Sequence, residues 1–95
     1  MNPYLKALKD GLKEAHNCDA THVSSVPIKE VFQGKTVWDG TVEVFELHGH
    51  PKAKRAYGWG YEQDGSTKYI TVLDIPPVDS PITAVRAAIR SGNNN

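Results

Sequence analysis

The sequence predicts an α+β fold of two layers: a helix, then three or four antiparallel strands, then a second helix. Three observations predict it. Apolar residues recur at helical spacing near both ends, at Leu5, Leu8, Leu12 and Ala15 and again at Ile82, Val85 and Ile89. Over residues 21–73 the apolar period falls to two, the spacing of a strand. Turn-forming pairs, above all Asp64-Gly65, punctuate that middle stretch. The simplest packing sets both helices on one face of the sheet.

Each element has local reasons. Asn2 is placed to cap the first helix, and Pro3 suits a first helical position where the missing N–H costs nothing. Gly11 weakens that helix by about 1 kcal/mol relative to Ala, so packing must hold its apolar stripe. Lys6, Lys9 and Lys13 form another, solvated face, and the helix is expected to fray near His16 and Asn17. A first strand over 23–32 contains Pro27, which points to a sheet edge. Ile28, Val31 and Phe32 also fit helical spacing, so a strand followed by a helical turn is the alternative.

Gln33-Gly34-Lys35 reads as a turn, and the strand over 37–47 is the clearest in the chain, rich in β-branched and aromatic residues. Along it Trp38, Val42 and Val44 share one face, while Asp39, Thr41, Glu43 and Phe45 share the other. Gly40 marks a bulge or a close backbone contact. Strands over 56–62 and 67–74 flank the Asp64-Gly65 turn. Ile75-Pro76-Pro77-Val78 cannot continue a ladder; Ser80 then caps a helix with Pro81 at its first position, and Gly92 stops it. Residues 1–92 read as a single domain and 93–95 as a disordered polar tail.

Composition narrows the function classes. The 95 residues hold eleven Lys plus Arg against eleven Asp plus Glu, which excludes a strongly basic binder held to DNA mainly by phosphate contacts. One cysteine, Cys18, permits no internal disulfide and fits a reducing compartment, so the cytoplasm is expected. No apolar run reaches the roughly 18 residues of a membrane span, and 1–12 alternate apolar and Lys residues unlike a signal peptide. No cofactor and no membrane partner are expected.

Two resemblances can be tested on residues. The element order is similar to that of the double-stranded-RNA-binding domain, a family that grips phosphates with a lysine-rich stretch at the start of its last helix. The corresponding stretch here, Pro77-Val78-Asp79-Ser80-Pro81-Ile82, has no Lys and one Asp, so the likeness is one of topology. Val37-Trp38, Gly40, Val42, Val44-Phe45, Leu47, Gly49-His50-Pro51, Ala53 and Tyr57-x-Trp59 form a second pattern. With Val78-Asp79-Ser80-Pro81 and Ala84-Val85-Arg86-Ala87-Ala88-Ile89, it resembles a family of short, uncharacterised bacterial proteins over about two-thirds of the chain. That resemblance implies a bacterial, soluble domain and brings no activity with it.

Two constellations carry chemistry. Tyr57, Trp59 and Tyr61 alternate with glycines, so the three rings share one strand face, preceded by Lys52, Lys54 and Arg55. They form either a stacking platform for single-stranded nucleic acid, with the cations tracking its backbone, or part of the core. A two-residue Asp64-Gly65 loop pairs Trp59 with Ile70 and Tyr57 with Val72 and buries the rings; a three-residue loop slips the register by one and exposes them. The first is favoured because it gathers the apolar residues together.

The second constellation is a histidine pole. Antiparallel pairing of the first two strands brings His22 near His48 and His50, and the end of the first helix adds His16 and Cys18. The pole suggests a zinc site, a Cys-His nucleophile pair, or an anion cradle with the nearby cations, although none of the spacings is diagnostic. The balance favours a small non-catalytic binding domain that associates with itself as a homodimer. Another protein is the second choice of partner, and nucleic acid ranks below both.

Overall fold

The computed structural model describes residues 4–90, which form α1 (Leu5–His16), β1 (Asp19–Phe32), β2 (Lys35–His48), β3 (Arg55–Gln63), β4 (Ser66–Leu73) and α2 (Pro81–Arg90). The strands make one antiparallel sheet in the order β1-β2-β3-β4, so the fold is α+β with four strands. The expected cap at Asn2 and Pro3, the stop at Gly92 and the tail 93–95 lie outside the described residues.

Local chemistry explains the boundaries. Asn17 ends α1 in the left-handed conformation, φ 54°, with its N–H donated to the Lys13 carbonyl at 2.8 Å. Both hairpins turn on two residues of positive φ, Gln33 with Gly34 and Asp64 with Gly65, the pattern whose twist matches the flanking strands. β1 is strand throughout, so the alternative helical turn after residue 28 is not formed. Its pairing with β2 shifts between His22 and Ser24 and again between Glu30 and Val31, and Pro27 lies within this edge strand.

The shift at Val23 places His22 on one sheet face with Phe45, and Ser24 on the other with Val44. β2 is apolar on both faces, Val42 and Val44 on one and Phe45 and Leu47 on the other. Each face therefore needs its own cover. α2 supplies Ala84, Val85 and Ala88 over Val42, Val44, Tyr57 and Trp59. α1 supplies Leu8 and Leu12 over Phe45, Leu47 and Ala56. The expectation of both helices on one face is corrected: the helix-on-sheet layering occurs twice, once on each side.

The ladder between β2 and β3 is short, running only from Glu43 opposite Gly58 to Glu46 opposite Arg55. The β1–β2 and β3–β4 hairpins are thus joined at their base, and the far end of the β1–β2 hairpin extends past the joint.

Candidate functional site

The aromatic strand resolves through its hairpin register. Trp59 pairs with Ile70 and Tyr57 with Val72, as the two-residue turn requires. Tyr57 is 2% exposed and Trp59 3%, both under α2, and Tyr61 packs partly buried against the same cluster. The stacking-platform reading loses its platform: these rings are core. The opposite face of β3 is made narrow by Gly58 and Gly60. A Cβ at Gly58 would lie 3.0 Å from Leu8 Cδ2, and one at Gly60 would lie 2.7 Å from the Tyr4 ring. α1 can approach β3 closely for that reason.

Tyr57 keeps one polar contact inside this core. Its hydroxyl donates to Asp74 Oδ2 at 2.7 Å. Burial raises the phenol's pKa well above its ordinary value, and the Asp74 hydrogen bond and charge raise it further, against the opposing charge of Arg55.

The five residues of the expected pole do not share one centre. His16 and His50 meet edge to face, ring centroids 5.6 Å apart. His50 Nδ1 accepts the backbone N–H of Lys52 at 3.1 Å and of Ala53 at 2.9 Å, while His48 Nε2 is 2.8 Å from Thr21 Oγ1. His22 turns to Glu43 instead. Cys18 is buried in the α1 core with Leu8, Leu12 and Phe45, whereas a reactive thiol needs partial exposure. Among the described residues, no group of three or more His, Cys, Asp and Glu is placed to hold a metal ion.

Glu43 is the residue that reading the sequence underrated. It is 1% exposed, on the α1 face beside Phe45, with its Oε1 accepting from the Ser25 hydroxyl and lying 2.9 Å from His22 Nε2. The available signal was a carboxylate in the middle of an apolar strand run, at residues 42–45. The three groups are not a nucleophilic triad. In a triad the base uses one ring nitrogen for the hydroxyl and the other for the acid, but here Ser25, at 3.4 Å, and Glu43 both meet Nε2. The cluster ties β1 to β2 across the bulge.

Two open surfaces remain. A groove of about 420 Å³ lies at the far end of the β1–β2 hairpin, lined by Phe32 and Val37, by Ile89 and Arg90 of α2, and by the Glu30–Arg86 ion pair at 2.6 Å. Glu30 raises the Arg86 pKa first through that hydrogen bond and then through its charge. At the other end, Lys52, Lys54, Arg55 and Asp74 line an open pocket of about 370 Å³.

No protein-family model, curated protein or solved structure matches the chain. No helix among the described residues is long and apolar enough to cross a membrane.

Proposed function

We propose that this chain is a small non-catalytic binding domain that pairs with a second copy of itself through the far end of the β1–β2 hairpin. One observation carries the reading: exposed apolar side chains are concentrated there. Among the described residues, Phe32 is 63% exposed and Val31 and Val37 are about half exposed, all three at the hairpin tip, while the other two exposed large apolar residues, Val23 at the bulge of β1 and Tyr69 on β4, stand apart from it. Phe32 and Val37 open directly onto the groove beside Ile89. Such a patch bordered by charged residues is the usual mark of an interaction surface.

A second copy suits this surface better than a charged partner. The chain's formal charge is zero, so two copies meet without long-range repulsion. An isologous contact would set one protomer's Phe32 against its partner's groove and the reverse. Pro27, which has no N–H to donate, interrupts continuous strand pairing along the β1 edge. Contact through the side chains beyond it is therefore favoured over a full-length ladder. The same reading places the domain in the bacterial cytoplasm, where its single cysteine needs no partner.

The test is mass against concentration by sedimentation or light scattering. A dimer is expected at micromolar protein, and Phe32→Ser should weaken it by about tenfold or more, the worth of one buried phenyl group. A wild-type chain that stays monomeric at that concentration overturns the reading.

A further inference from the structure

The pocket at the base of the sheet collects more positive than negative charge. Lys52 and Lys54 stand on the segment between β2 and β3, Arg55 opens β3, and Asp74 directly follows β4. Three cations thus face one carboxylate. That carboxylate accepts the Tyr57 hydroxyl, and none of the three cations is in an ion pair among the described residues. Glu46 is the cross-strand neighbour of Arg55, but it makes no ion pair with it.

The backbone carrying these side chains is fixed at every residue. The N–H groups of Lys52 and Ala53 are held by His50 Nδ1, and Ala53 is buried in the α1 core. The Lys54 carbonyl accepts the Leu47 N–H at 2.8 Å, and the Arg55 carbonyl accepts the Asp74 N–H at 2.9 Å. Like charges are in this way gathered on a rigid frame while their heads stay exposed. Mutual repulsion among the three cations opposes this arrangement.

We propose that Lys52, Lys54 and Arg55 form a binding site for a small phosphorylated ligand, recognised through its phosphate dianion. The three cations outnumber Asp74, the carboxylate that lines the pocket with them, and a phosphate monoester near neutral pH brings close to two negative charges to meet them. Arg55 supplies a planar fork for two phosphate oxygens, and the lysines supply mobile point charges around them. The buried Tyr57 and Trp59 offer no ring for base stacking, so the site reads a phosphate and not a nucleic-acid strand. This surface lies apart from the Phe32 groove, and the proposal does not depend on self-association.

The experiment is a titration of the full-length, isotope-labelled chain with inorganic phosphate and with O-phosphoserine, at pH 8 and constant ionic strength, followed by amide NMR. Saturable shifts are expected at Lys52, Ala53, Lys54, Arg55 and Asp74, with O-phosphoserine bound at least as tightly as phosphate. Arg55→Gln should weaken binding by about tenfold, the worth of a charge-assisted hydrogen bond, at an unchanged melting temperature. Asp74→Asn should tighten it severalfold by removing the negative charge that lines the pocket, an effect that general ionic strength does not mimic. Linear shifts equal to those from chloride, or an unchanged affinity in Arg55→Gln, overturn the proposal. A tighter, steeply salt-dependent hold on oligouridylate than on phosphate also overturns it, in favour of a nucleic-acid backbone.

Discussion

Trp38 stands edge-on to Trp59 with ring centroids 5.4 Å apart, although the ladder between their strands has already ended at Glu43 and Gly58. Trp38 reaches this position by folding over Gly40, where a Cβ would lie 3.0 Å from the ring. The chain's two tryptophans therefore join the hairpins where backbone hydrogen bonds do not. A double-mutant cycle on Trp38→Leu and Trp59→Leu should give a coupling of about 1 kcal/mol beyond the lost burial. Urea unfolding followed by circular dichroism measures it, and additive effects would remove the bridge.

Glycine at 58 and 60 and glycine at 11 should respond to alanine with opposite signs. Gly58→Ala drives a methyl group into Leu8 and toward the Ile70 carbonyl, 3.3 Å away. We expect a destabilisation of about 1–3 kcal/mol, as for other overpacked cores, and a similar loss for Gly60→Ala against Tyr4. Gly11 has nothing within 4 Å and lies inside α1, so Gly11→Ala should stabilise by up to about 1 kcal/mol. Three melting curves decide the matter.

Removing one partner of the buried cluster should cost more than removing both. Glu43 is almost wholly enclosed, with His22 and Ser25 on its Oε1. His22→Ala should destabilise by about 2 kcal/mol, because the carboxylate stays behind with one fewer donor. The double variant His22→Leu with Glu43→Met should recover most of that loss. A double variant less stable than His22→Ala would show that the polar cluster is itself a net source of stability.

Alkaline pH should unfold the protein partly through Tyr57. Its phenol holds the proton more tightly when folded, by burial and by the bond to Asp74. Unfolding then releases a proton above the ordinary tyrosine value of about 10. The resulting stability is fully present below that pH and is lost as pH rises through and beyond it. The advantage of wild type over Tyr57→Phe, measured by urea midpoint between pH 8 and 11.5, should shrink over that interval. A constant difference would contradict the assignment.

What the sequence alone determined was local. The helical stripes, the stop near Asn17 and the Asp64-Gly65 turn specify elements through residues that are close in the chain. The turn does more, because two central residues of positive φ dictate the register, and that register decided that Tyr57 and Trp59 face the core. The exposed apolar residues at the hairpin tip were visible as residues, but their exposure was not.

Tertiary structure decided what local pattern leaves degenerate. Val42 and Val44 on one face and Phe45 and Leu47 on the other are equally good floors for a helix, so which helix covers which side depends on the whole path of the chain. The unpaired residue at Val23 turns His22 toward Glu43 and away from His48 and His50, and so disperses the histidines. A bulge leaves no signature in an alternating sequence, since the residues on both sides of it suit either face. The burial of Glu43 and the clustering of Lys52, Lys54 and Arg55 beside Asp74 have the same origin: residues distant in the chain become neighbours only once the strands are paired.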